Sequence, residues 1–247
     1  MFRKTRKPAT SSSAKPAGLN DTDFGLITIR RSGLSRSIRL RLLPDGTLTA
    51  TMPKRTPLYL LKSLIDGSRH ELLDQVREVK SKRPNYHDGQ SVGRSHTLRI
   101  KHIEGAEPRG RLAAQDLLID LPPTWSEESP EAQSFIRDWY LKALKKEARS
   151  YLPRRLQYLA EHFGFNYTKI RFGNPKGRWG SYSSSGTISL NVALMNLPLE
   201  VVDYVLVHEL CHSRHPHHQI RFWQEVEACL PDYKSLRRQL KEYSPYL

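Results

Sequence analysis

The residues best equipped for chemistry in this chain are His208-Glu209-Leu210-Cys211-His212, followed after five residues by His218. Two histidines four apart on a helix project from one face, about one turn from each other, and can hold one cation between them. The glutamate between them can reach a water beside that cation. A third histidine completes a three-ligand set with a fourth position open, the layout of catalytic rather than structural zinc. Three neutral imidazoles leave zinc its full charge, so water at such a site approaches a pKa of about 7. Glu209 would take a proton from that water as it attacks a carbonyl and hand it to the leaving group. An oxyanion stabiliser is also required; Arg178, Tyr182, His215 and His217 are the candidates, and the sequence does not choose among them.

With 10 His in 247 residues, shuffling this composition would produce the pentad in roughly 2 chains in 100. Its setting argues against accident. Leu197 to Leu210 reads as a buried helix with Pro198 in its first turn, and Val201, Val202, Val205, Leu206, Val207 and Leu210 leave little polar face. On a helical wheel His208 and His212 share a side with Val201, Tyr204 and Val205. The bland alternative makes them core histidines with hydrogen-bond partners. Burying two His and a Glu in so apolar a helix is costly without a metal or such partners.

His215, His217 and His218 compete as third ligand. If the helix continued, His215 would stay on the ligand face but lie about 10 Å along the axis from His208, too far to share one ion. Pro216 also opposes continuation, because the residue before proline avoids helical geometry. A turn at His215-Pro216 would return His218 at the start of the next helix. His218 is therefore the preferred ligand and His217 the next, with His215 and His217 otherwise on the rim. Cys211, three residues after His208, is expected to pack rather than ligate.

Arg178-Trp179-Gly180-Ser181, Gly186-Thr187-Ile188-Ser189-Leu190-Asn191, Val201-Val202-Asp203-Tyr204-Val205, the pentad, and His218 with Phe222-Trp223 together resemble the YgjP-like metallopeptidase-domain family, which is related to the SprT and WLM zincins. Ile29-Arg30-Arg31-Ser32, Pro44-Asp45-Gly46-Thr47, Pro53-Lys54-Arg55-Thr56-Pro57 and Asp88-Gly89 extend the resemblance into the N-terminal half. The resemblance implies a cytoplasmic zinc hydrolase with His208, His212 and His218 as ligands to Zn2+ and Glu209 as catalytic residue. Tyr182 stands where the family usually has Cys, and Gln219 where it usually has Ser. Neither departure removes a ligand. By the same resemblance Gly186 to Asn191 is the strand that forms the cleft rim and pairs with an extended substrate, a physically reasonable mode of capture. Arg178, Trp179, Tyr182, His215 and His217 are the candidate substrate-binding residues.

These residues need a scaffold, and the chain supplies one of α+β class. The expected form is a zincin-like domain with an active-site helix and a small sheet, preceded by a β-rich region. A length of 247 with 38% hydrophobic residues allows one large domain or two small ones. Residues 1–22, basic and Ser/Pro-rich at the start, read as a disordered tail. Residues 23–122 read as the β-rich region with a helical segment, and 123–247 as the metal-binding domain, with Leu121-Pro122-Pro123 as boundary. Ile38 to Leu42 alternates with period two, and Pro44-Asp45-Gly46 marks a turn into Thr47 to Met52. Leu58 to Val79 reads as helix interrupted at Gly67. Thr97 to Ile103 and Arg111 to Leu121 read as strands, with Gly105 to Gly110 as the turn between. Glu131 to Ser150 reads as one helix and Pro153 as the start of another ending at Gly164. Asn166 to Phe172 and Thr187 to Asn191 read as strands, and Gln219 to Tyr243 as closing helices.

Two cysteines give no disulfide framework, and a reducing compartment fits. No apolar run approaches the ~20 residues that span a membrane, and no signal-peptide hydrophobic region follows the start. The net charge of +15 includes eight Lys/Arg against one acid in residues 27–62. A strand face of Arg39 and Arg41, with Arg30 nearby, could meet nucleic acid or another polyanion; the alternative is a solvated basic surface without a partner. Three functions compete: a zinc peptidase acting on protein or peptide, a metal-dependent nucleotide phosphohydrolase, and a nucleic-acid or protein-binding module stapled by zinc. A strand beside the ligand helix favours the first. Arginines at the metal, from Arg178, Arg214 or Arg221, would favour the second. Glu209 weighs against the third, because a structural site has no use for a base.

Overall fold

The computed structural model describes residues 17–43, 46–81, 84–105 and 107–247. Its contacts divide the chain into two compact units, Met1–Lys82 and Arg83–Leu247. The class is α+β throughout.

In the first unit, strands β1 (Ala17–Asp21), β2 (Gly25–Ser32), β3 (Arg39–Leu42) and β4 (Leu48–Pro53) form one sheet in the order β1-β2-β4-β3. β1 and β3 are antiparallel to their neighbours, and β2 runs parallel to β4. Alternation does its usual work: Ile27 and Ile29 of β2 and Leu48, Ala50 and Met52 of β4 point one way and are buried. Helices α1 (Leu58–Gly67) and α2 (Arg69–Ser81) complete that core with Leu61, Ile65 and Leu72. The break between them falls at Gly67, where the sequence places it. The tail expected over residues 1–22 lies outside the described residues for 1–16, while Ala17–Asp21 is a strand. It gains its ladder from β2, a pairing across a turn that local composition does not announce. Of the expected Pro44-Asp45-Gly46 turn, Gly46 is described, with φ 72° and its N–H on the Leu43 carbonyl at 2.9 Å; Pro44 and Asp45 lie outside the described residues.

The second unit opens with β5 (Ser91–Val92), β6 (His96–His102), β7 (Arg109–Ala113) and β8 (Asp116–Leu121), in the order β5-β6-β8-β7. The expected single strand Arg111 to Leu121 is instead a hairpin. Ala114 turns it with φ 39°, a left-handed conformation taken without the glycine that usually signals it. The strand order and directions repeat those of the first unit, β5 to β8 matching β1 to β4.

A 34-residue helix, α3 (Pro130–Phe163), then crosses this unit, capped by the Ser129 hydroxyl at its start and by Gly164 with φ 68° at its end. Two helices meeting at Pro153 were the expectation; the helix is continuous through that proline. The reason is the buried stripe Ile136, Tyr140, Leu144, Ala148, Leu152, Leu156 and Ala160, which keeps four-residue spacing across Pro153. Its burial outweighs the hydrogen bond that proline forfeits, worth with its steric clash about 3 kcal/mol. The boundary expected at Leu121-Pro122-Pro123 is likewise not where the units part. Leu98, Leu117, Ile119 and Leu121 share one core with Ile136, Tyr140 and Leu144, so sheet and helix are inseparable.

Strands β9 (Lys169–Gly173), β10 (Gly180–Tyr182) and β11 (Thr187–Asn191) form a small sheet in the order β10-β11-β9. A 3-10 turn over Val192–Asn196 leads into α4 (Leu199–Cys211), and α5 (Ile220–Cys229) and α6 (Tyr233–Leu240) finish the chain. Asp203 of α4 receives two hydrogen bonds from Arg155 of α3, Nε at 2.7 Å and Nη2 at 2.6 Å, which fixes α4 against the long helix. Among the described residues no helix is long and apolar enough to cross a membrane.

Candidate metal centre and cleft

α4 carries the pentad because its sequence leaves it no other place than the interior. Val201, Val202, Val205, Leu206, Val207 and Leu210 are all buried, so His208 and Glu209 are carried inward with them. The helix gives way after Cys211, and Ser213, Arg214 and His215 turn back on Leu210 and Cys211 through backbone hydrogen bonds of 2.9, 3.1 and 2.9 Å. The chain re-enters at His218, two residues before α5 begins at Ile220.

His208, His212 and His218 converge, their candidate ligand atoms all within 4.8 Å of one another. The ring centroids form a near-equilateral triangle of 5.0, 4.9 and 4.7 Å. Nε2 of His208 lies 3.0 Å from Nε2 of His218. That separation is close enough for the two nitrogens to be held by one cation. His212 Nδ1 donates to the His215 carbonyl at 3.1 Å, which leaves Nε2 with its lone pair facing the others. Burial lowers the His208 pKa to about 3 and holds His212 below its usual value, so both are neutral imidazoles, the form a metal takes.

Phe222 is fully buried beneath all three imidazoles, its ring 4.9, 4.6 and 4.7 Å from theirs. Trp223 stacks on His218 at 5.6 Å and on Tyr233 at 5.7 Å. The sequence marks these two aromatics only as part of a motif. Their role is to floor the triangle and hold His218, which comes from a turn rather than a helix.

Glu209 is buried, with Oε2 lacking any hydrogen-bond partner, and His208 Nδ1 is in the same state. Burial raises the Glu209 pKa to about 8, against a smaller opposing pull from Arg178. A buried carboxyl and an imidazole nitrogen left unpartnered are costly unless something else satisfies them. A cation at the triangle, with water beside it, fits the donor set and the orphaned Glu209 oxygen; His208 Nδ1 lies on the other side of its ring from the shared Nε2 and needs a partner of its own.

Gly180 lets the backbone of β10 come close to Glu209: a Cβ there would lie 2.6 Å from Oε1 and 2.9 Å from Cδ. Asn191, fully buried, anchors the loop before β10. Its Nδ2 donates to the carbonyls of Pro175, Arg178 and Pro245 at 3.0, 3.1 and 3.1 Å, and its Oδ1 accepts from Ala193 N at 3.0 Å. A polar residue ending an apolar strand is the only trace of this in the sequence.

The cleft over the triangle has a volume of about 570 Å³, and Arg178, Gly180, Ser181, Tyr182 and Pro216 line it together with the histidines and Glu209. The rim strand is β10 rather than β11. The expected Gly186–Asn191 strand sits centrally, with β9 on one side and β10 on the other, so it has no edge to offer. Of the five candidate substrate-binding residues, Arg178 and Tyr182 line the cleft. Trp179 lines a smaller recess of about 200 Å³ with Tyr204, Val205 and Leu240, which also touches His208 and Glu209. His215 and His217 do not line the cleft. His215 turns toward Glu225, 3.5 Å from Nε2 to Oε2, and supports His212 through its carbonyl; His217 is exposed.

The model of the family described as YgjP-like, metallopeptidase domain, matches residues 36–243. The chain belongs to the YgjP-like metallopeptidase-domain family. Among solved structures, it is similar to the metallopeptidase zymogen of Pyrococcus abyssi abylysin, with 29% identity over 36% of this chain and 92% of that one, at a TM-score of 0.34. It is also similar to the metallopeptidase zymogen of Methanocaldococcus jannaschii jannalysin, with 20% identity over 36% and 93% of the two chains and the same TM-score of 0.34. Likenesses of that extent are local and carry no argument about this fold. Among curated proteins no sequence matches the chain.

Proposed function

We propose that this YgjP-like chain is a zinc-dependent peptidase of zincin-like build, with His208, His212 and His218 as ligands and Glu209 as general base. The observation that carries the reading is the convergence of three imidazoles beside a buried, unpartnered carboxyl at the floor of an open cleft. Zinc held there supplies a Lewis acid and a water whose pKa falls toward about 7. A cation beside Glu209 opposes the effect of burial and favours its carboxylate, the form that takes a proton. Glu209 then removes a proton from the attacking water and delivers it to the leaving amine. β10 is an edge strand, so an extended peptide can pair with its free backbone groups and present a carbonyl to the cleft. Tyr182 and Arg178 line that cleft and are the candidates to stabilise the oxyanion. The free thiols of Cys211 and Cys229 fit a reducing, cytoplasmic setting.

The nucleotide phosphohydrolase reading finds less support. It needs several cations around the site, and Arg178 is the one arginine among the described cleft residues. Arg214 is committed to Glu225 and to the Gly164 carbonyl at 2.6 Å.

The test is the zinc-loaded chain against unfolded polypeptide and, in parallel, nucleoside triphosphates, with Glu209→Gln as comparison. Glu209→Gln should keep its zinc and lose about 10²–10⁴-fold in peptide hydrolysis. His218→Ala should lose far more zinc than His215→Ala or His217→Ala. Wild-type turnover in Glu209→Gln, or Glu209-dependent triphosphate hydrolysis without peptide cleavage, overturns the assignment.

A further inference from the structure

The first unit has a face that the hydrolase reading does not use. Among the described residues of this unit, α1 and α2 pack on one side of its sheet. On the other, alternation turns out Thr28 and Arg30 of β2, Thr49 and Thr51 of β4, and Arg39 and Arg41 of β3. The register aligns them in two rows, Thr28-Thr49-Arg41 and Arg30-Thr51-Arg39. The three arginines are exposed, and among the described residues none of them is in an ion pair. Strands about 4.8 Å apart and a rise of about 3.3 Å per residue put Arg39 and Arg41 roughly 7 Å apart and Arg30 roughly 10 Å from Arg39 at the backbone. Among the described residues this face carries no acid.

The charges have been sorted. Asp21, Asp23 and Asp66 all pair with Arg69, and Asp74 pairs with Arg77 and His70. Arg31, next to Arg30, turns its guanidinium to the carbonyls of Lys54 and Thr56, each at 2.8 Å. The second unit supplies an internal comparison. Its sheet has the same topology and also turns out basic residues, in the rows Arg99-Leu118-Arg111 and Lys101-Asp120-Arg109. There the central strand carries Asp116 and Asp120, and Arg99 lies 3.6 Å from Asp116. That sheet sets two acids among its basic side chains and pairs Arg99 with one of them. The sheet of the first unit replaces those acids by threonines and leaves its cations open.

We propose that this face binds the phosphate backbone of double-stranded nucleic acid without reading its sequence. Spaced guanidinium groups with hydroxyls between them suit phosphate oxygens, which accept from both. Among the described residues the face has no aromatic side chain, so it offers single strands no stacking platform. It is a four-stranded sheet, about 14 Å across its strands, wider than the helix or two-stranded ribbon that a major groove of about 12 Å admits, so base edges stay unread. The inference does not rest on the peptidase assignment.

The test is fluorescence anisotropy of the full chain with a random-sequence 20-base-pair duplex across a salt series. Each lost phosphate contact reduces the slope of log K against log salt by about 0.9. Arg39→Ala/Arg41→Ala should therefore flatten the slope by about 1.8 and weaken binding about 60-fold at 0.1 M salt. Arg39→Lys/Arg41→Lys should keep most of the slope. Lys145→Ala/Lys146→Ala, which removes the same charge from exposed positions on α3, should leave it unchanged. Unchanged melting of each variant shows that folding is not the cause. An unaltered slope in the arginine pair, or an equal loss in the lysine pair, overturns the proposal. So does arginine-dependent binding of phosphatidylserine vesicles or polyglutamate in place of the duplex.

Discussion

Gly180→Ala isolates the positioning of Glu209 from everything else in the cleft. The backbone of Gly180 lies outside the left-handed region, so alanine brings no conformational strain of its own. What it brings is a methyl group 2.6 Å from Oε1, 2.8 Å from Cγ and 2.9 Å from Cδ of Glu209. Ordinary carbon contacts need about 3.5–4.0 Å. The carboxyl must therefore move by up to about 1 Å, and Glu209 is too buried to swing freely into solvent. Overpacking of this size costs about 1–3 kcal/mol of stability. A catalytic group displaced by about 1 Å costs about 10²-fold in rate, close to 2.8 kcal/mol of barrier.

The expected pattern is a modest fall in melting temperature, full zinc occupancy, and roughly a hundredfold loss of peptide hydrolysis. The assay is zinc content by atomic absorption, melting by circular dichroism, and initial rates on an unfolded polypeptide. Turnover within about threefold of wild type would show that Glu209 does not act from the position it occupies here. Zinc lost in step with activity would mean that the added methyl acts on the histidines and not on the base.

Two other perturbations test the same centre. In the metal-free chain the Glu209 pKa is raised from 4.5 to about 8. Between those values the folded state keeps a proton that the unfolded state has released, so stability falls as pH rises through the window. Metal-free Glu209→Gln should match wild type near pH 5 and melt higher at pH 8, by about 5–10 °C for a shift of this order; equal melting at pH 8 refutes the burial argument. Asn191→Ala leaves the carbonyls of Pro175, Arg178 and Pro245 without their donor, at a cost of about 2–4 kcal/mol. Its melting temperature should drop by several degrees and its activity with it, since Gly180 hangs from that loop; an unchanged melting curve contradicts the anchoring role.

The histidine cluster was legible in the sequence because helix periodicity is local. Four-residue spacing at the end of α4 and a turn ahead of Pro216 bring His208, His212 and His218 together, although the helix ends at Cys211, five residues before the proline expected to stop it. The cleft wall was not legible, because strand order is set by pairing between distant segments. Nothing near Gly186 to Asn191 says that β9 will take its outer side and leave β10 at the edge. The continuous α3 shows the same limit from the other direction. A local breaker, Pro153, loses to a stripe of buried residues that runs the whole helix. Ala114, with φ 39°, reverses the chain between β7 and β8 without any residue that favours that turn.

The groups in the pentad are prepared by one physical cause acting on opposite charges. Desolvation disfavours every charged form, so it pushes Glu209 up to about 8 and His208 down to about 3. Without a cation both effects weaken the fold, one toward alkaline pH and the other toward acid, where the unfolded chain takes up the protons that His208 refuses. The same burial gives a cation two neutral imidazoles on α4 with no protons to displace, and a carboxyl close enough to ionise beside it. His218 differs: it is exposed and comes from the turn before α5. It is therefore the candidate ligand whose position depends most on packing, through Phe222 and Trp223. Loosening that aromatic floor should cost metal before it costs the fold, whereas losing the apolar face of α4 should cost both together.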